Sequence, residues 1–147
     1  MVYAQSVIVD LTMFPMGDFK AKTSKVTGFA TKNGAAFEAK NVVVDLKSLS
    51  TTGNLPVREK HMKEKYLQVD KFPTATLVSA KGTGGKGTGI IRIKGQEKPI
   101  EGTYKEVGKT IEAEFNIYMS EFGIADVNFK GVGVEDKIVV HVVLPVK

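Results

Sequence analysis

From Ile111 to Met119 the chain alternates. Ile111, Ala113, Phe115, Ile117 and Met119 share one face, and Glu112, Glu114 and Asn116 share the other. A period of two fits an extended strand with one buried face and does not fit a helix, whose faces recur every 3.6 residues. The pattern recurs along the chain. Ile138, Val140, Val142 and Leu144 are expected inside and His141 outside. Ile91 and Ile93 oppose Arg92 and Lys94. Ile100, Gly102 and Tyr104 oppose Glu101, Thr103 and Lys105. Near the start, Val7, Val9 and Leu11 oppose Ser6, Asp10 and Thr12, with Ile8 out of step. Thr74 to Ala80 reads as a strand without a clear inward face. Between Ala36 and Leu46 the parity changes: Phe37 and Ala39 fit one phase, and Val42, Val44 and Leu46 fit the other. A bulge near Lys40-Asn41 reconciles the two and bends the strand.

Turn residues separate these runs at Asn33-Gly34, Gly82 to Gly85, Lys94-Gly95-Gln96 and Val107-Gly108-Lys109. Asn-Gly is the strongest short hairpin signal. The spacing predicts about eight antiparallel strands. A closed barrel and a sandwich both fit, and closure would remove unpaired edges.

One segment departs from the strand pattern. Thr51 to Pro73 opens with the capping types Thr52 and Asn54 and with Pro56, whose missing N–H costs nothing in a first helical turn. Glu59 with Lys63 and Lys60 with Glu64 are i,i+4 pairs in the favourable order. A single short α-helix is therefore expected between the fourth and fifth strands, lying against the sheet.

The 147 residues suffice for one domain, 1–147, with its own core. Without cysteine, disulfides, thiolate chemistry and Cys-ligated zinc are excluded. The net charge of +5 is spread through nearly every segment and comes mostly from lysine. That distribution suits a solvated surface better than base-reading, which leans on arginine, so no nucleic-acid partner is expected. No apolar run approaches the ~18 residues of a membrane helix, so no transmembrane segment is expected. Val2 and Ala4 stand three and one positions before Gln5, as at a signal-peptidase site. The spacing points to a periplasmic or secreted protein whose leader has been trimmed from this chain; the alternative is a natural start in a cytoplasmic protein.

Reactive constellations are scarce. The two histidines are His61, on the helix-like segment, and His141, on the last strand as a surface residue. His61 follows Arg58 by one turn, so both share a helix face. They are candidates to meet a head group at a barrel mouth, or to anchor the helix by hydrogen bonds. Glu59-Lys60-His61 lacks the second histidine of a zinc-protease motif, and no other ligand spacing occurs, so no metal is expected. The glycines around position 85 lack the helix and lysine of a phosphate cradle. No serine stands in a nucleophile elbow, and no carboxylate pair can be argued, so catalysis has no support. The inward apolar side chains fill a solid core or line a cavity. An eight-stranded barrel allows either, and the small Gly102 and Ala113 favour space.

The order S-L-S-T-T-G-N, R-E-K-H-M at Arg58 to Met62, and D-K-F-P-T-A at Asp70 to Ala75 resembles the YceI-like family. Gly87 to Ile100, Ser120-Glu121-Phe122-Gly123-Ile124 and Gly131 to Ile138 are similar to later elements of that family, in the same order. The resemblance spans essentially the whole chain. Two departures stand out: Glu121 occupies a usual Asp position, and Phe14 to Lys32 is short; both leave cavity length and mouth shape open, with a shorter lipid or none as the alternatives to a long prenyl chain. The resemblance implies an all-β, lipocalin-like antiparallel barrel of eight strands with a helix near one end. It also implies non-catalytic binding of a polyisoprenoid lipid, such as a prenyl quinone, and export to the bacterial periplasm. No other cofactor is expected.

The expected lining is Val9 and Leu11, Phe37, Val44 and Leu46, Leu77, Ile91 and Ile93, Tyr104, Phe115 and Ile117, and Val140. Leu67 and Phe72 are expected to gate the opening, and Arg58 and His61 to meet the head group. The expected function is sequestration or transport of an isoprenoid or other long-chain apolar lipid in the cell envelope. The alternative is a packed barrel that recognises a protein or envelope partner. Oligomeric state, a dimer included, is left open.

Overall fold

The computed structural model describes residues 5–14, 18–51, 56–124, 127–129 and 132–147. The suspected cleavage site at Val2 to Ala4 and the capping candidates Thr52 and Asn54 lie outside the described residues.

The chain forms one antiparallel sheet with a short helical cover. In order, the strands are β1 (Ser6–Phe14), β2 (Asp18–Thr23), β3 (Val26–Thr27), β4 (Ala30–Asn33), β5 (Ala36–Asp45) and β6 (Ser50–Thr51). After helix α1 (Pro56–His61) come β7 (Thr74–Thr83), β8 (Lys86–Ile93), β9 (Gln96–Val107), β10 (Thr110–Tyr118), β11 (Asn128–Phe129), β12 (Val132–Val134) and β13 (Lys137–Pro145). These thirteen segments among the described residues correct the expectation of eight strands. The excess arises where long runs break: at Ser24-Lys25, in the 3₁₀ turn Leu46–Ser48, and at Glu135-Asp136. The short segments also move the helix from between the fourth and fifth strands to between β6 and β7.

Pairing runs from β1 through β13, β10, β9, β8 and β7 to β5. The sheet then curls until its margins share one run of chain. Residues 18–23 pair with β1, Ala21 and Lys22 with Thr51 and Ser50 of β6, and Val26 and Thr27 with Val44 and Val43 of β5. A parallel bridge between Ala30 and Val146, with Lys147 N–H donating to Ala30 O at 2.9 Å, ties the C-terminal end to β4. Curling leaves little free edge for pairing with other chains.

The parity change in β5 falls at Asn41, which takes a left-handed conformation (φ 51°). Asparagine tolerates that region better than most residues with a side chain. The β5–β7 register is unbroken across this level, whereas β7 shifts against β8 between Leu77 and Ser79. The two neighbouring strands therefore change phase together. Phe37 and Ala39 point inward before the kink, and Val42, Val44 and Leu46 after it. In β7, Ala75 and Leu77 give way to Ala80 and Gly82. This paired irregularity explains why Thr74 to Ala80 shows no single inward face.

Helix α1 continues as one π-helical turn, Met62–Leu67, which ends at left-handed Gln68. Met62, Tyr66 and Val69 are buried beneath it. Glu59 accepts from Thr51 N–H at 2.8 Å and approaches Lys63 at 3.8 Å, fastening the segment to β6. After β10, the 3₁₀ turn Met119–Phe122 is stopped by Gly123 (φ 74°). Asp136 accepts from the Ser120 backbone N–H and hydroxyl at 2.7 and 2.6 Å. This turn drives Met119, Phe122 and Ile124 into the interior.

Candidate functional site: an apolar hollow in two lobes

The interior of the curled sheet is not filled. It holds two cavities, of about 140 and 100 Å³. Leu77, Phe115 and Val142 line both, so the two lobes share a wall, the waist of the hollow. The larger lobe lies beneath the helical cover. Val9, Val44, Leu46, Ile91, Ile93, Ile117 and Val140 reach it from the sheet, and Met62, Tyr66 and Leu67 from the cover. Met119, Phe122, Ile124 and Val127 complete it from the segment after β10.

The smaller lobe is built from smaller residues. Ala30, Ala39, Ala80, Gly82, Gly87, Gly102 and Ala113 line it alongside Phe37, Ile100, Tyr104, Ile111 and Leu144. Its floor is a row of backbone. Gly82, Gly87 and Gly102 pair with one another across β7, β8 and β9, with Phe37 before them and Phe115 after. Absent side chains bring the rings close. A Cβ on Gly82 would collide with the Tyr104 ring, and one on Gly102 with Glu114 O. Tyr104 in turn packs edge-on against Phe37, with centroids 5.6 Å apart.

The lining is almost wholly apolar. Glu38, Lys81 and Glu114 border the smaller lobe, but their side chains pair outside it: Glu38 with Lys81 at 3.9 Å, and Glu114 with His141 at 3.8 Å. Hydroxyls border the linings at Tyr66 and Thr76 in the larger lobe and at Thr88, Thr103 and Tyr104 in the smaller. Such a hollow rewards an apolar occupant and offers a charged group no compensating partner.

The residues expected to meet a ligand are distributed unevenly. Val9, Val44, Leu46, Leu67, Ile91, Ile93, Ile117 and Val140 line the larger lobe, Phe37 and Tyr104 the smaller, and Leu77 and Phe115 both. The side chains of Leu11 and Arg58 lie outside the described residues. Phe72 lines neither lobe: it packs over Gly95 in the β8–β9 turn, within 3.6 Å of where a Cβ there would stand. His61 is exposed and also lines neither. It shares the outer helix face with Lys65, four residues on, while Met62 and Tyr66 take the inner one. The lining contributed by Met62, Tyr66, Phe122, Ile124 and Val127 was missed. Met62 and Tyr66 stand four residues apart on the helix-like segment, a spacing that could have flagged them.

On the outer face, His141 Nε2 lies 2.7 Å from Asp10 Oδ2, and Lys20 Nζ lies 3.1 Å from Asp10 Oδ1. Burial by itself would raise the Asp10 carboxyl. Hydrogen bonds from His141 and Lys20 and their positive charge outweigh it and hold the group below its usual value. Among the described residues no cluster of three or more acidic, histidine or cysteine side chains could hold a metal ion. Among them, too, no helix is long and apolar enough to cross a membrane.

The domain family described as YceI-like matches residues 4–146. A UPF0312 protein of Pseudomonas putida strain W619 is 33% identical over 113 residues, covering 66% of this chain and 59% of that protein. Another, from Pseudomonas savastanoi pv. phaseolicola, is 34% identical over 122 residues, covering 65% of this chain and 64% of its own length. The chain thus spans under two thirds of these relatives. Among solved structures, Burkholderia cenocepacia BcnA superposes with a TM-score of 0.68 at 18% identity, covering 95% of this chain and 94% of that one. A polyisoprenoid binding domain from Saccharophagus degradans, implicated in plant cell wall breakdown, gives 0.63 at 10% identity, covering 95% and 91%. At these identities the two structures share the fold.

Proposed function

The chain belongs to the YceI-like family, and on that footing we propose that it binds the apolar part of an isoprenoid or fatty-chain lipid inside its curled sheet, without chemical turnover. The observation that carries this reading is the two-lobed, almost entirely apolar hollow. A solid core would leave no such space, since interiors normally pack as densely as organic crystals. Binding would be driven by removing tail surface from water, at about 25 cal/mol per Å² before the costs of association. The head group of the lipid would stay with polar groups outside the lobes, because the linings hold little to receive it. The polyisoprenoid-binding character of a structural neighbour is consistent with this cargo. The proposed setting is the periplasm or the outside of the cell, where an apolar molecule crossing water needs shelter. Fractionation of cells producing the full-length precursor tests that setting.

Native mass spectrometry of freshly purified protein, with organic extraction of the same sample, tests the binding. The expected result is an adduct that solvent removes and that chromatography identifies as a lipid. A bare mass under gentle ionisation, with no thermal shift on adding prenyl quinones or prenyl alcohols, would overturn the reading.

A further inference from the structure

Building on the lipid-binding reading, we propose that the hollow measures its ligand. It admits the apolar end in two segments, one per lobe, and the small residues beyond the waist make room for the second.

Volume sets the scale. A cavity of about 150 Å³ accepts a benzene molecule, so the lobe of about 140 Å³ takes roughly five or six carbons and the lobe of about 100 Å³ roughly four, about one isoprene unit each. The enclosed portion is then about two isoprene units, and any longer tail projects beyond the lobes. The waist explains why the count is discrete. Phe115 is buried and lines both lobes with Leu77 and Val142, so a chain that occupies both lobes must cross this shared wall between its first and second segments.

Residue size explains why the second segment fits. Inward positions around the larger lobe carry mostly branched or long side chains, whereas Ala39, Ala80 and Ala113 line the smaller one. Ala39 and Ala80 are direct cross-strand partners, so two methyl groups face the lobe where larger pairs would fill it. Gly102 differs in kind. A Cβ there would lie 2.9 Å from that of Phe115 and would collide with the neighbouring backbone, so its bareness serves the fold. The alanines are therefore the specificity-determining positions: a larger side chain there grows into the space that the second segment would occupy.

The test uses full-length protein and four isoprenoid alcohols of rising length: prenol, geraniol, farnesol and geranylgeraniol. Affinities are read by isothermal titration calorimetry. The wild type is expected to gain at least about tenfold from prenol to geraniol, and less than about threefold from geraniol to geranylgeraniol, because only the second unit finds an empty lobe. In Ala113→Leu and Ala39→Leu the gain on going from prenol to geraniol should fall from at least about tenfold to less than about threefold. Circular dichroism and melting temperature report whether each variant is folded, and Ala113→Val replaces a leucine variant that is not. Affinity that climbs with each added unit overturns the two-lobe limit, as does a geraniol gain that survives in the folded variants. Those results leave the lipid-binding reading standing. Failure of all four alcohols to bind removes both.

Discussion

Replacing Phe115 by alanine should merge the two lobes at a cost the protein can survive. In a tightly packed core, Phe→Ala costs about 3–5 kcal/mol. Phe115 is only 8% exposed, but it lines a cavity on either side of the waist, where part of its ring has no partner atoms to lose. The expected loss is therefore near the lower end, about 3 kcal/mol. At roughly 2–4 °C per kcal/mol for a chain of this size, the apo melting temperature should fall by about 6–12 °C. The joined lobes should then accept an apolar ligand more readily than the divided ones. A ligand at about a hundred times its dissociation constant restores about 2.7 kcal/mol, so geraniol should recover most of the loss and shift the variant further than the wild type. The assay is a thermal melt of both proteins with and without geraniol, with Phe115→Leu as a milder companion. A loss well above 5 kcal/mol that geraniol leaves untouched would mean the ring is meshed into a solid interior, and the reasoning would fail.

Other expectations follow from the same geometry. Ile117→Arg places an unpaired charge in the larger lobe and should cost about 3 kcal/mol or more while abolishing ligand uptake, measured by urea denaturation and native mass spectrometry; a stable variant with normal uptake would show that this face is not the inner one. Gly102→Ala drives a methyl group into Glu114 O and Phe115 and should cost about 2 kcal/mol in the same denaturation assay, whereas near-neutrality would contradict the close strand approach. Asp10→Asn should lower stability at neutral pH by under about 1 kcal/mol, because the cluster with Lys20 and His141 is more than a third exposed. The depressed Asp10 value fixes the sign: its contribution is present above the unfolded carboxyl value of about 3.9 and fades as pH falls through the lower folded one. The gap between wild type and variant should therefore close on acidification below about pH 4, and a gap that widened there would refute the assignment.

Much of the fold was legible wherever one strand face met water and the other did not. Ile111, Phe115 and Ile117 in β10, and Ile138, Val140, Val142 and Leu144 in β13, are buried as their alternation demands. The parity change in β5 could be read because Phe37 and Ala39 disagree with Val42, Val44 and Leu46. Its counterpart in β7 could not, since Thr74 to Ala80 mixes small and polar residues that suit either face. The strand count went astray because irregularities at Ser24-Lys25, Leu46–Ser48 and Glu135-Asp136 split runs without leaving a strong turn signal. The inward positions Val9, Phe37, Val44, Ile91, Ile93, Tyr104, Phe115, Ile117 and Val140 followed from parity, whereas Leu77 sits on the strand whose face could not be read. His61 did not follow, because a short helix leaves the choice of buried face to tertiary packing, and Phe72 did not, because it lies in the loop before β7, where no periodicity applies. The waist was invisible in the sequence, since it arises where β7, β10 and β13 converge in space.

The central claim is that an apolar molecule goes inside the curled sheet. Methyl-labelled protein, titrated with geraniol and read by nuclear Overhauser contacts between ligand protons and side-chain methyls, addresses it most directly. Contacts to Ile91, Ile117 and Val140, with none to Ile8, Val139 or Val143 on the outer face, are the predicted result. Contacts confined to the outer set, with the inner methyls unmoved, would contradict it.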